Sequence, residues 1–300
     1  MRPKWGVVAG MTDREVAELL PAQRAVEGEG FVVRRPFPTM QRSYVDPFLL
    51  WDHMGPVNHG PGEGVGTSPH PHRGFETVTY LLKGELEHRD SLGNHGFLGE
   101  GDTQWMTAGR GVIHKEGPSE AFKARGGTLH GLQLWVNLPA AEKMRPASYQ
   151  DIRATEVAIV EPSEGVTARI IAGEAFGLQG PGRTVTPINY VHLTLAPGSV
   201  ARTAVPDDHN VMAYPLVGSF SVPSALGNDV VVPEGVMAIF APGDQVELHG
   251  PADGGPAEMI LLTGQPLNEP VVREGPFVMN TRAELLQAFE DYNSGRFVEA

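Results

Sequence analysis

The sequence contains no cysteine among its 300 residues. Disulfide bonds, thiolate catalysis and metal sites with cysteine ligands are therefore excluded. Any metal ion in this protein must be held by histidine and carboxylate side chains.

Long apolar runs and positive charge are also scarce. No run reaches the roughly 18 apolar residues that a membrane-spanning helix needs, and the N-terminal residues lack the apolar stretch of a secretory signal. We therefore expect a cytoplasmic protein with no membrane partner. Because 23 lysine and arginine residues oppose 36 aspartate and glutamate residues, the net charge of -13 repels phosphate backbones, and we expect no direct nucleic-acid binding.

Glycine and proline, in contrast, are frequent, with 37 and 26 residues that separate short apolar runs such as ETVTYLL and VVVPEGVMAIF. This pattern is typical of short strands joined by tight turns and predicts an all-β barrel or sandwich. Helices are predicted only at residues 12–20 and 281–292, where Thr12-x-x-Glu15 and Thr281-x-x-Glu284 form capping boxes.

The chain length and an internal repeat predict two similar domains. Domains average roughly 150 residues, and a shift of 134 residues places Tyr80-x-Leu82-x-Gly84 on Tyr214-x-Leu216-x-Gly218. A polar, proline-marked stretch lies near the midpoint. We therefore predict a first barrel at residues 1–140, a linker at 141–151, a second barrel at 152–280, and a helix with a tail at 281–300.

Two spaced pairs of residues in the first half are candidate metal ligands. His70-x-His72 and His114-x-Glu116 each place two side chains on one side of an extended strand. Together they offer three imidazole nitrogens and one carboxylate oxygen to a divalent ion. Histidines also satisfy buried polar groups, so this spacing alone does not distinguish a metal site from a structural one.

The surroundings of these residues resemble the two cupin motifs, which here comprise His70, His72, Glu76 and Gly84, followed by Gly101, Gly109, Gly111 and His114. The segments HPHRGFETVTYLL, GDTQWMTAGRGVIHKE, HGLQLWVNLP, DPFLLWDHMGP and GPFVMNT more specifically resemble the pirin family. The resemblance implies a bicupin fold, with two antiparallel jelly-roll β-barrels and a short C-terminal helix.

The resemblance to pirins also implies that Glu116 is the fourth metal ligand, whereas the general cupin pattern would use Glu76. Both carboxylates have the parity to point inward. We expect Glu116 to bind the metal and Glu76 to orient a ligand imidazole from behind. The alternative for Glu76 is an ion pair with Arg73 or another cation.

The second half loses all four ligand positions together. The 134-residue shift replaces them with Ala204, Pro206, Leu248 and Gly250. The nearby His209 and His249 fall out of phase with these positions, so we predict a second barrel without metal.

Several residues outside the ligand set have an open role. His53 and His130 lie within the pirin-like segments, which suggests that they are near the pocket. The aromatic residues near the ligand segments either line a substrate pocket or fill a barrel core; they are Trp51, Trp105, Trp135 and Phe75.

A centre with three histidines, one glutamate and open positions favours redox-active Fe2+, with Mn, Co, Ni or Zn able to replace it. The pirin resemblance implies quercetin 2,3-dioxygenase activity on a small aromatic substrate and O2, with Glu116 also accepting the flavonol hydroxyl proton. It equally implies the alternative of an iron-binding regulatory protein that modulates a transcription complex or a metabolic enzyme by protein contact. A cupin isomerase or a dioxygenase for another enediol is the third reading.

Overall fold

The computed structural model describes residues 11–298, and its architecture is predominantly antiparallel β. The strands of the first half are β1 (Val16–Pro21), β2 (Gln23–Glu27), β3 (Phe31–Phe37), β4 (Phe48–His59), β5 (His70–His72), β6 (Phe75–Lys83), β7 (Leu86–Asp90), β8 (His95–Leu98), β9 (Thr103–Thr107), β10 (Val112–Pro118) and β11 (Gly127–Asn137). A short helix, α1 (Glu120–Arg125), precedes β11, and a 3-10 turn (Ala140–Glu142) follows it.

The strands of the second half are β12 (Ser148–Ile152), β13 (Ala158–Val160), β14 (Val166–Ala172), β15 (Glu174–Ala175), β16 (Leu178–Gln179), β17 (Ile188–Leu195), β18 (Val200–Ala204), β19 (Asn210–Val217), β20 (Ser219–Val222), β21 (Val230–Pro233), β22 (Val236–Phe240), β23 (Gln245–His249), β24 (Ala257–Gly264), β25 (Val272–Glu274) and β26 (Phe277–Met279). The last helix is α2 (Arg282–Asn293). No helix in the described part of the chain is long and apolar enough to cross a membrane.

Two barrels with the same strand order confirm the predicted bicupin fold. The first combines a seven-stranded sheet, β12-β9-β6-β11-β4-β3-β2, with a four-stranded sheet, β5-β10-β7-β8. The second combines β1-β22-β19-β24-β17-β14-β13 with β18-β23-β20-β21. The hairpin β25-β26 and helix α2 follow the second barrel in the chain.

The internal repeat holds in the large sheets but shifts in the small ones. Val78 pairs with Trp105 in the first barrel, and Met212 pairs with Ile239, which lie 134 residues further on, in the second. In the small sheets His114 is opposite His70, whereas Leu248 is opposite Ala201. The second-barrel counterpart of His70 is therefore Ala201, three residues from the predicted Ala204, and the counterpart of His72 is correspondingly Thr203.

The two halves exchange their edge strands. Strand β1 precedes the first barrel but pairs with β22 of the second, while β12 lies in the predicted linker region and pairs with β9 of the first. The predicted helix at residues 12–20 is wrong, because hydrogen bonding to β22 and burial of Leu20 outweigh the local capping signal. The division at residues 141–151 stays a prediction.

A continuous apolar core joins the large sheets of the two barrels. It includes Trp51 and Trp105 from the first half and Met212 from the second. Two buried hydrogen bonds between a tyrosine and a histidine cross this interface. Tyr80 Oη of the first barrel lies 2.9 Å from His192 Nδ1 of the second, and Tyr214 Oη of the second lies 3.3 Å from His53 Nδ1 of the first.

The C-terminal helix α2 confirms the second predicted capping box. The Thr281 hydroxyl accepts from the Glu284 N–H, and the Glu284 carboxylate accepts from the Thr281 N–H. Asp291 on α2 forms a 2.7 Å ion pair with the buried Arg73, which follows strand β5. Residues 1–10 of the predicted first domain, with part of the segment tested for a secretory signal, and residues 299–300 of the predicted tail lie outside the described residues.

Candidate metal centre

Strands β5 and β10 bring three of the predicted ligands together. Their antiparallel register places His70 opposite His114, and His72 follows two residues later on the same face. Each of the three imidazoles offers one nitrogen within 4.8 Å of the others. The ring centroids of His70 and His72 lie 4.4 and 4.9 Å from that of His114.

The chemical state of this histidine cluster suits a divalent metal ion. Burial, reinforced by the neighbouring histidines, holds the pKa of His72 and His114 well below the usual value, so these imidazoles are neutral. His70 Nδ1 donates to the Ser68 carbonyl at 2.9 Å, which leaves Nε2 available. His114 Nε2 is buried and has no hydrogen-bond partner among residues 11–298. A metal would satisfy these nitrogens.

Glu116 lies close to this histidine cluster but belongs to a different group of potential ligands. It lies on the same face of β10 as His114, and its carboxylate clusters with nitrogens of His114 and His88 within 4.8 Å. It is absent from the cluster formed by His70, His72 and His114. Burial raises the pKa of Glu116 to about 7, and the Thr79 hydroxyl, 3.4 Å away, opposes that rise.

Glu76 lies on the face of its strand that points away from Glu116, and this corrects the expectation that both carboxylates point inward. Gly74, with φ of +90°, separates β5 from β6 and resets the alternation of side chains. Thr79 contacts Glu116, so Glu76, three residues away, points to the other side of β6. There it accepts a 2.7 Å hydrogen bond from Thr107.

Neither expectation for Glu76 is correct. None of its hydrogen bonds among the described residues goes to a ligand imidazole, and Arg73 pairs with Asp291 instead. Burial raises the pKa of Glu76 to about 7, although the Thr107 hydrogen bond lowers it.

A cavity of about 480 Å³ opens beside the histidine cluster. Its lining includes His70, His72, Glu116, Trp135 and Arg273. A second, mainly apolar cavity of about 270 Å³ also borders Glu116. Its apolar lining includes Phe31, Met54, Val57 and Leu129.

The predicted aromatic residues divide between two locations. The Trp135 ring lies 5.2 Å from His72 and 4.3 Å from Phe75, at the cavity wall. Trp51 and Trp105 instead belong to the core between the barrels. His53 and His130, which we expected near the pocket, line neither of the two cavities. Their Nε2 atoms lie 2.7 Å apart, and His53 also contacts Tyr214 at the interface between the barrels.

Three charged side chains in the lining of the larger cavity were not predicted. Arg35 is bonded to Asp52 at 2.7 Å, and burial raises the pKa of this aspartate to about 6 despite the arginine. Arg273, from the hairpin β25-β26, lies 5.1 Å over the Trp135 ring and donates to the Leu49 carbonyl. It forms no carboxylate ion pair within the described chain. Arg273 could not be linked to the site from the sequence, because it lies more than 150 residues after the ligand motifs.

Two further buried residues near the site were missed. Lys143, in the predicted linker, donates at 2.7 Å to the Gly74 carbonyl and at 3.0 Å to that of Val278, thereby holding the start of β6. His88 on β7 is buried and lies 3.4 Å from His114, between their Nδ1 atoms. The alternation Leu86-x-His88-x-Asp90 was the signal that could have found it.

In the second barrel the positions that correspond to the ligands are occupied differently. Leu248 is buried in that barrel's core beside Ala201. His209 bonds to Thr263 at 3.0 Å, and His249 bonds to Glu247 at 2.6 Å. These histidines have hydrogen-bonding partners of their own, and they belong to neither cluster of metal-binding groups found within residues 11–298.

Comparison with known proteins identifies relatives over nearly the whole chain. The Pirin family model matches residues 30–136, and the model of the pirin C-terminal cupin domain matches residues 190–298. Pirin-1 of Arabidopsis thaliana is 38% identical over 94% of both chains. The crystal structure of quercetin 2,3-dioxygenase from Acinetobacter baumannii superposes with a TM-score of 0.88 at 37% identity, covering 95% of this chain and 99% of that one.

Proposed function

The chain belongs to the pirin family, and from that premise we propose that it is a metal-dependent dioxygenase that cleaves the ring of a flavonol or a similar enolic aromatic. The observation that carries the proposal is the convergence of His70, His72 and His114 beside a cavity whose lining includes His70, His72 and Glu116. The quercetin 2,3-dioxygenase of Acinetobacter baumannii, which is similar along its whole length, supports the choice of substrate class.

We propose Fe2+ as the metal, held by His70, His72, His114 and Glu116, with Mn, Co, Ni or Zn able to take its place. Neutral imidazoles and a carboxylate are ligands that suit all of these ions. When bound, the ion would supply the redox chemistry that joins an electron-rich enolate to dioxygen. For Glu116 to join the three histidines, its side chain needs a rotation within the cavity that it already lines.

The side chains around the cavity would bind and orient the substrate. Trp135 lines the cavity next to His72, and the guanidinium of Arg273 over its ring offers positive charge to an ionised hydroxyl. Glu116 would accept the proton of the reacting hydroxyl, because its carboxylate is at the cavity wall near the metal ligands. The adjacent apolar cavity would keep water away from the reacting atoms.

The test is oxygen uptake by protein purified without oxygen and reconstituted with one metal at a time. We expect Fe2+-loaded protein to consume O2 with quercetin, and the flavonol absorbance to fall in parallel. Glu116→Gln should lose this activity, whereas Glu87→Gln, on the outward face of the neighbouring strand β7, should keep it. Turnover that is unchanged in metal-free protein, or no turnover with any bound metal, would refute the proposal.

A further inference from the structure

The inner face of strand β7 places two polar residues directly behind the histidine cluster. In the pairing of β7 with β10, Asp90 is opposite His114 and His88 is opposite Glu116. His88 and His114 are each 2% exposed, and the Asp90 side chain is fully buried. These side chains are therefore shielded from solvent.

The contact between the two imidazoles constrains where their protons lie. His88 Nδ1 is 3.4 Å from His114 Nδ1, and a hydrogen bond between two ring nitrogens needs one donor and one acceptor. If His114 binds a metal through Nε2, its proton must be on Nδ1, so His114 donates and His88 accepts. The remaining proton of neutral His88 is then on Nε2.

Asp90 is located to interact with that remaining proton. Its carboxylate oxygen lies 3.8 Å from His88 Nε2, which has no hydrogen-bond partner among the described residues. The backbone N–H groups of Leu92 and Asn94 donate to Asp90 at 2.8 and 2.9 Å, and the Asn94 side chain donates at 2.7 Å. These donors favour the ionised carboxylate.

We propose that His88 is a positioning residue that, backed by Asp90, holds His114 in the tautomer whose Nε2 binds the metal. The groups follow one another in the order Asp90 carboxylate, His88 ring, His114 ring and metal ion. Donation of the Nδ1 proton of His114 to His88 would make the His114 Nε2 a stronger ligand. The inference rests on the metal centre of the proposed function and deepens it. It does not depend on the identity of the substrate.

The same residues allow a competing arrangement, in which His88 is itself a ligand. One nitrogen each from His88 and His114 and one oxygen from Glu116 lie within 4.8 Å of one another. In that arrangement His88 would bind an ion, either a second one or the first in place of His70 and His72. The two arrangements predict different proton positions on His88 and different metal stoichiometries.

The experiment measures Co2+ binding by competition with a chelator, together with the visible absorption spectrum of the bound ion. Neither readout requires substrate or oxygen, so a failure of quercetin turnover would leave this test intact. We expect His88→Leu to weaken Co2+ binding about 10- to 100-fold and to alter the spectrum. His88→Gln retains an acceptor for the His114 proton and should recover most of the affinity. His95→Leu, a control on the outer strand β8, should bind as the unaltered protein does.

A second measurement needs no variant and so remains decisive if His88→Leu does not fold. Long-range proton–nitrogen NMR spectra of the Zn2+-loaded protein report which ring nitrogen carries the proton. We expect the proton of His114 on Nδ1 and that of His88 on Nε2. Metal bound to a His88 nitrogen, a second Co2+ that His88→Leu loses, or unchanged affinity and spectrum in His88→Leu would overturn the proposal.

Discussion

Replacing Glu76 with glutamine should change how the stability of the protein depends on pH. Glu76 is 1% exposed, and one of its carboxylate oxygens has no hydrogen-bond partner in the described part of the chain. Burial disfavours the charged form and raises its pKa from 4.5 to about 7. The folded state therefore binds more protons than the unfolded state between these two values, and its stability falls as the pH rises through them.

The size of this effect follows from the two pKa values. At about 1.4 kcal/mol for each tenfold change in proton affinity, ionised Glu76 lowers the free energy of unfolding by about 3 kcal/mol at pH 8 relative to its protonated form. Glutamine has nearly the same shape, remains neutral and can still accept from Thr107. We expect Glu76→Gln to match the unaltered protein near pH 4.5 and to be more stable than it at pH 8.

The assay is urea unfolding of metal-free protein at several pH values from 4.5 to 8. Other titrating groups are common to both proteins, so the difference between them isolates Glu76. The same two variants test the metal ligand, since Glu116→Gln should reduce metal affinity and Glu76→Gln should leave it unchanged. A stability difference that does not vary with pH would refute the buried, ionisable Glu76 that the structure describes. If Glu76→Gln lowered metal affinity more than Glu116→Gln, the metal ligand would be Glu76, as in the general cupin pattern.

Three further predictions concern the site and its support. The chain should bind one transition metal ion, and metal analysis that gives two tightly bound ions would contradict this. His114→Ala should strongly weaken metal binding without unfolding the protein, whereas His249→Ala should leave metal binding unchanged. Gly74→Ala should lower the free energy of unfolding by more than about 3 kcal/mol, because the added Cβ would lie 1.9 Å from the Val278 carbonyl oxygen. Gly93→Ala has a similar positive φ but open space around it, and in the same urea assay it should lower that free energy by only about 1 kcal/mol. Arg273→Met should raise KM for an ionised flavonol about tenfold with a smaller change in kcat, and equal KM values would exclude a role for this arginine in substrate binding.

The sequence was sufficient for those features that depend on local spacing. The all-β class, the capping box at Thr281 and the convergence of His70, His72 and His114 follow from turn residues and strand alternation, and the bicupin fold follows from the resemblance to pirins. Alternation failed for Glu76 because a glycine between two strands resets the phase, and one sequence does not show where a strand ends.

Features that depend on distant pairing could not be predicted. The segment at residues 12–20 carries a helix-capping signal, yet residues 16–21 form β1, and the strand that pairs with it lies more than 200 residues further along the chain. The C-terminal hairpin likewise brings Arg273 to a cavity whose other walls come from the first barrel. His88 was overlooked for a different reason, since its spacing to Asp90 was visible but only the fold places that pair behind His114.

The exchange of β1 and β12 has a consequence for how the polypeptide can be divided. A fragment ending before residue 148 leaves β9 without its outer neighbour, and a fragment beginning after residue 21 leaves β22 in the same condition. Each half alone thus exposes an unpaired strand edge, which is prone to aggregation. During synthesis β1 is made long before its partner β22, which ends at residue 240, so a strand from late in the chain completes the environment of one of the first. We therefore expect neither half to be stable when it is produced alone, because each would lack the strand that covers one of its sheet edges.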